Sequence, residues 1–169
     1  MVTTRSSLGD RSVNVIRSHS GCVLTVVRSR LQLLLEVVAD DHPSAPLLPG
    51  LRSIDLDEAH GDLVVFARAC RSGALALLAD GASPTPSALA NRLCHLRGFG
   101  HDSIGVVMVE VVESLCRDAD IEQVIGHDSR LGILGLAESI IGIAQLMAAP
   151  TGEAPSTMVA MMLASAESG

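Results

Sequence analysis

The hydrophobic positions of this chain recur with the helical period along several stretches, which predicts amphipathic helices. In residues 21–39 the period is carried by Leu31, Leu34, Leu35 and Val38. The beginning of that stretch, VLTVV, is rich in β-branched residues, so a strand remains open there as an alternative. We expect an N-terminal apolar helix over 21–39, preceded by a loose polar arm over 1–20.

Three prolines and a glycine interrupt the apolar pattern at residues 40–51 (DDHPSAPLLPGL). Pro and Gly break regular elements, so this segment is predicted to be an exposed linker. It divides the N-terminal helix from a helical domain over 55–148. The remaining residues, 149–169, are predicted to form a loop and a Met-rich apolar segment that either docks on another surface or stays frayed.

Local signals mark the ends of the helices inside this helical domain. Thr85 followed by Pro86 is a typical N-cap and first-turn pair, and Gly98 is expected to stop that helix. Ser103 and Ser129, each after an Asp and before an apolar run, are predicted to be the N-caps of two further helices. The expected helices cover residues 55–80, 86–97, 103–117 and 129–148.

The composition favours a bundle of helices. Hydrophobic residues make up 48% of the 169 residues, whereas aromatic residues make up only 1%. A core of Leu, Val, Ile, Ala and Met suits packed helices better than a sheet, which usually draws on aromatic side chains as well. We therefore expect an all-α protein, a small helical bundle with an extra N-terminal helix. The Val-rich run after Ser103 also permits a buried strand.

Charge and cysteine spacing narrow the possible partners and locations. The net charge is −7, and the twelve basic residues are all Arg and form no basic run, so nucleic acid is a poor partner. The most apolar segment contains Arg28, Arg30 and Glu36, so no membrane span is predicted. The four cysteines form no CxxC pair and follow no signal-peptide pattern, which indicates reduced thiols in a cytoplasmic protein.

The tripeptide His-Asp-Ser occurs twice, at residues 101–103 and 127–129, each time after a glycine. Neither copy is a catalytic triad by itself, because neighbouring side chains diverge whereas a triad converges from separate segments. The purely structural interpretation is that these residues cap helices. The first copy also places the Ser103 hydroxyl, next to the Asp102 carboxylate, at the positive end of a helix.

Residues 99–104 (FGHDSI), followed by a predicted helix, resemble the attachment site of acyl and peptidyl carrier proteins. That family shows an apolar residue, Gly, any residue, Asp, Ser, and then Leu, Ile or Met. The resemblance extends over roughly residues 62–148 and implies a carrier-like four-helix arrangement. The predicted helix at 86–97 is extra, since a loop usually occupies that place, and the first sixty residues have no counterpart.

The resemblance also implies a function. Ser103 would carry 4′-phosphopantetheine, and Asp102 would help to hold a metal-bound phosphate donor during the modification. The chain would present an acyl or aminoacyl thioester to biosynthetic enzymes and would not itself be an enzyme.

Two other functions remain open from the sequence. The first is a helical scaffold without cofactor or catalysis, whose Leu-rich helix and Met-rich segment bury a second copy or another protein. The second is a small hydrolase or metal enzyme that uses His101, His127 and nearby carboxylates. No zinc-binding signature matches the spacing of the neighbouring residues Cys94, His95, His101 and Asp102. No metal site is predicted.

Overall fold

The computed structural model describes residues 3–8, 11–17, 23–41, 47, 56–81, 83–100, 102–120, 123–124 and 129–168. The described elements are, in chain order, β1 (Thr3–Leu8), β2 (Arg11–Arg17), β3 (Val23–Ser29), α1 (Arg30–Asp40), α2 (Leu56–Ala79), α3 (Pro86–Leu96), α4 (Ser103–Cys116), α5 (Ser129–Ala148) and α6 (Pro155–Ser168).

The three strands form an antiparallel sheet in the order β1-β2-β3. They correct two expectations for the N-terminal region. β1 and β2 lie in the segment 1–20 that was predicted to be a loose arm, and the helix predicted over 21–39 begins only at Arg30. The run VLTVV adopts the extended alternative, because β-branched side chains fit an extended backbone better than a helix.

Ser29 marks the change from strand to helix at the start of α1. Its backbone is extended, and its Oγ accepts a hydrogen bond from the backbone N–H of Gln32 at 3.1 Å, as an N-cap does. α1 then packs against α5 and α6, with Leu31 and Leu35 fully buried. The apolar helix therefore finds its partner surface within its own chain.

The predicted linker at 40–51 is described only in part. Asp40 ends α1, Asp41 is its C-cap, and the prolines lie outside the described residues. Leu47 is 1% exposed and belongs to the core, so the expectation that the whole linker is exposed is wrong at this residue. An apolar side chain inside a Pro-rich segment still gains free energy by burial, and here it covers the bundle.

α5 is the central helix of the bundle. Every residue from 132 to 144 is buried, and α5 contacts each of the other described helices. A helix that is apolar on all sides has no face for water and is stable only when neighbours surround it. The remaining helices are amphipathic and turn their apolar faces toward α5. The hydrophobic core therefore follows the whole length of α5.

From Arg30 onward the described chain is a helical bundle, which confirms the all-α prediction. The bundle is larger than the predicted domain of 55–148, because α1 and α6 pack on the same core. Met158, Val159, Met162 and Leu163 bury one face of α6. The Met-rich segment thus docks on α1, α2 and α5.

The predicted signals at α3 are confirmed. Thr85 is the N-cap, its Oγ1 accepts a hydrogen bond from the N–H of Ala88 at 3.1 Å, and Pro86 occupies the first turn. After α3 the chain reverses at Gly98, whose φ of +78° is a conformation that side chains with a Cβ rarely adopt. This turn sends the chain toward the start of α4.

Candidate functional site

The site centres on the first turn of α4, where Asp102 and Ser103 are both exposed. Ser103 is the first helical residue, so the expectation that it is the N-cap is wrong by one position. Asp102 has the extended backbone of a cap, and its Oδ1 accepts a hydrogen bond from the N–H of Gly105 at 2.9 Å. A carboxylate at this position also interacts favourably with the helix dipole, which favours Asp over Ser as the cap.

Because Asp102 caps the helix, the Ser103 hydroxyl is not used for that purpose. Among the described residues, no hydrogen bond engages this hydroxyl. The side chain is therefore an exposed hydroxyl at the positive end of a 14-residue helix, directly after a carboxylate.

Close packing between Gly100 and Gly105 positions this turn. A Cβ added to Gly105 would lie only 2.1 Å from the carbonyl oxygen of Gly100 and 3.3 Å from Asp102 Oδ1. The loop before α4 thus rests directly on the helix backbone, at a distance that only glycine permits. Glycine is unusual inside a helix, but Gly105 is required here because the loop passes so close to the helix backbone.

A buried ion pair anchors the other end of the same loop. Arg97, the C-cap of α3, donates a hydrogen bond from Nε to Glu138 Oε2 of α5 at 2.7 Å, and the two side chains are 0% and 1% exposed. Burial raises the pKa of the Glu138 carboxyl, whereas Arg97 and a backbone hydrogen bond from Leu47 oppose that rise. The pair ties Arg97, where this loop begins, to the centre of the bundle.

Sequence reasoning did not single out Arg97 or Glu138. A signal was present, since Glu138 is the one charged residue between Arg130 and the end of α5. A lone carboxylate in an otherwise apolar, buried helix needs a charged or hydrogen-bonding partner. The sequence did not say which of the twelve arginines supplies it.

The described side chains around Ser103 do not form a nucleophile and base pair. His95 is exposed on the last turn of α3, and Cys94 turns inward, with its Sγ 3.4 Å from the carbonyl oxygen of Gly105. His101 and His127 of the hydrolase hypothesis lie outside the described residues, as does the side chain of the second predicted cap, Ser129. In the described part of the chain, no three His, Cys, Asp or Glu residues are grouped as metal ligands.

The cysteines of the described bundle are free thiols. Cys70 and Cys94 are buried and Cys116 is half-buried. Burial raises the pKa of each of the three thiols, most strongly that of Cys70, and near Cys94 the negative charge of Asp102 adds to the effect. Thiols with raised pKa values are poor nucleophiles at neutral pH, so these residues act as apolar core side chains.

The surface of α4 beyond Ser103 is mixed in character. Val106 is 50% exposed one turn after Ser103, and Glu110 is exposed on the next turn. Glu113 is half-buried and accepts a hydrogen bond from the hydroxyl of Ser87 on α3. The exposed side of α4 is thus partly apolar and partly acidic, and Ser103 lies at its N-terminal end.

One described helix segment, Arg130–Ala148, has the length and mean hydropathy of a membrane span, but 83% of its most apolar window is buried in the bundle. That burial is typical of a core helix. No family model, curated protein or solved structure matches the chain.

Proposed function

We propose that this chain is a carrier-like helical protein that holds an acyl or aminoacyl thioester on a phosphopantetheine arm at Ser103. The observation that carries the proposal is the exposure of Ser103 at the first turn of α4, directly after the exposed Asp102. A serine that is modified by another enzyme must be reachable in the folded state, and this one is. Had Ser103 been buried or placed in a strand, the proposal would have ended there.

In this proposal each residue of the site has a separate role. The Ser103 hydroxyl loses its proton and attacks the pyrophosphate of coenzyme A, so that a phosphodiester to phosphopantetheine forms and adenosine 3′,5′-bisphosphate leaves. The N-terminal backbone N–H groups of α4, apart from that of Gly105, which donates to Asp102, favour the negative charge of that phosphate. Asp102 holds the helix start in place and adds a carboxylate beside the metal ion that accompanies a phosphate donor.

The rest of the bundle supports presentation rather than chemistry. The contact between Gly100 and Gly105 and the pair of Arg97 with Glu138 hold both ends of the preceding loop. Ser103 is thereby presented next to a packed part of the loop. The chain catalyses nothing itself, acts in the cytoplasm, and meets biosynthetic enzymes that modify it and use the thioester.

The test is an in vitro modification reaction. The full chain is incubated with coenzyme A and a broad-specificity phosphopantetheinyl transferase, and the product is analysed by intact mass and peptide mapping. We expect the mass of one phosphopantetheine group on the peptide that contains Ser103. Ser103→Ala should abolish the addition.

Ser129→Ala is the matched control, since Ser129 ends the second Gly-His-Asp-Ser sequence and also opens a helix. This variant should be modified like the parent chain. No mass change under conditions that load a known carrier protein, or modification at a residue other than Ser103, would contradict the proposal.

A helical scaffold protein is the second candidate, and exposed apolar side chains favour it. Val37 on α1 is 65% exposed and Met161 on α6 is 56% exposed, on two helices that pack together. In this case the chain buries these side chains against a second copy or another protein. Light scattering on the purified chain, with Val37→Asp as the variant, tests self-association: the proposal expects an oligomer that the variant weakens.

A further inference from the structure

A small cavity between α2, α5 and α6 is lined by most of the methionines of the chain. Its volume is about 210 Å³, and Met147, Met158, Met161 and Met162 line it together with alanine, glycine and serine residues. The whole sequence contains six methionines, so four of them meet at one place. Apart from their thioethers, the side chains around the cavity are small.

The helices bring these thioethers together from two directions. Met158, Met161 and Met162 have the i, i+3, i+4 spacing that places side chains on one face of α6. Met147 comes from the last turn of α5. A Cβ added to Gly73 of α2 would lie 3.0 Å from Met162 Cε and 3.7 Å from Met147 Sδ, so methionines of both helices meet over this glycine.

The cavity is also accessible. Met161 is 56% exposed, whereas Met158 and Met162 are each 8% exposed. The group therefore consists of two buried methionines, the half-buried Met147 and the exposed Met161. Methionine is unbranched and flexible, so the exposed Met161 can change its rotamer at the surface of the cavity.

The donor chemistry selects the class of ligand. A thioether is neutral and soft, so it binds Mg²⁺ and Ca²⁺ poorly, because these cations require oxygen ligands. Zn²⁺ takes its ligands from Cys, His and carboxylates, and in the described residues no group of three such side chains exists. Thioethers do bind soft monovalent copper.

We propose that the four methionines form a binding site for Cu(I). This site is separate from Ser103 and does not depend on the function proposed there. The competing interpretation is an apolar pocket that takes a small hydrophobic molecule, with the methionines as adaptable walls.

The test is NMR of the full chain labelled with ¹³C at the methionine methyl groups and titrated with Ag(I), a soft monovalent ion without redox chemistry. We expect the methyl signals of Met147, Met158, Met161 and Met162 to shift and to saturate together. The site-resolved signals separate this binding from any binding at the thiols.

Met108 provides the internal control, because its Sδ lies 3.9 Å from Cys94 Sγ in another part of the core. Shifts confined to Met108 would place the ion at that thiol and overturn the proposal. Absence of any methionine shift would overturn it as well. So would shifts of the four methyls with cyclohexane but not with Ag(I), since these identify an apolar pocket.

Variants complete the test. Met161→Leu conserves side-chain volume and should weaken the Ag(I)-induced shifts of the other three cavity methyls while leaving the melting temperature nearly unchanged. The matched variant Met108→Leu should leave those shifts intact. Equal Ag(I)-induced shifts of the cavity methyls in Met161→Leu and in the parent chain would show that Met161 is not a ligand and would overturn the four-methionine site.

Discussion

Removal of the Glu138 carboxylate is expected to destabilise the bundle strongly. Arg97 and Glu138 are 2.7 Å apart with side chains 0% and 1% exposed, so Glu138→Ala leaves a buried guanidinium without this carboxylate. Breaking one partner of a buried pair typically costs about 3–5 kcal/mol. Since a domain of this size is stable by only about 5–15 kcal/mol, the loss is a large part of the total.

The double variant Arg97→Met with Glu138→Leu separates the cost of removing one partner of the pair from the value of the pair itself. Replacing both partners by apolar side chains of similar volume removes the charges together with their desolvation cost. We expect the double variant to be about as stable as the parent chain, or more stable by up to about 4 kcal/mol. The two single variants should therefore be strongly non-additive.

The assay is urea denaturation followed by the helical circular dichroism signal, with the slope against urea compared between variants. If Glu138→Ala lost less than about 1 kcal/mol, or if the losses of the single variants simply added in the double variant, the pair would not be buried as described. An unchanged slope is the control that the unfolded states are comparable.

The same pair has a pH signature whose sign follows from linkage. The pKa of Glu138 in the folded protein lies above its ordinary value of 4.5. The folded state therefore holds a proton at pH values where the unfolded chain has released it, so stability falls as pH rises from 4.5 through the raised folded pKa. The double variant should lack this fall. If Glu138 instead made the protein more stable as pH rose through this window, the pKa of Glu138 would not be raised in the folded protein.

Three further outcomes are expected from denaturation of variant chains. Asp102→Ala should lower the free energy of unfolding by about 0.5–2 kcal/mol, because an N-cap is lost. Ser103→Ala should change it by no more than about 0.5 kcal/mol. The reverse order would show that Ser103 is the cap. Gly105→Ala should cost about 1–3 kcal/mol, since its Cβ collides with the Gly100 carbonyl, and a neutral effect would show that the loop is not packed there. A chain that begins at Asp55 should be less stable by roughly 1.5–3 kcal/mol for each buried leucine of α1 that is removed, and equal stability would mean that α1 contributes nothing to the core.

The sequence by itself determined the elements whose signals are local. Thr85 and Pro86 start α3 as predicted, Gly98 ends it, and α5 spans the predicted residues from Ser129 to Ala148. Capping, turn conformation and helical period depend on residues within about one turn of each other, so they can be read from neighbours in the chain. The same kind of local signal makes Ser103 a candidate site.

Local reasoning was less successful where two interpretations differed by little free energy. The N-cap of α4 is Asp102 and not the predicted Ser103. The run VLTVV is a strand, and α1 is shorter than predicted. In both cases the sequence contained the correct residue type as well as the expected one. The helix dipole favours the carboxylate of Asp102 over the hydroxyl of Ser103 as the cap, and the β-branched side chains of VLTVV favour an extended backbone.

Only the tertiary structure decided which distant residues meet. Arg97 and Glu138 are 41 positions apart, and Met147 joins the methionines of α6 only because α6 folds back onto α5 and α2. A buried charge needs a partner, but which residue becomes that partner depends on how the helices pack. Several helix arrangements would bury the same apolar faces. The helices of this protein are thus a property of short segments, whereas its buried ion pair and its methionine cavity are properties of the assembled bundle.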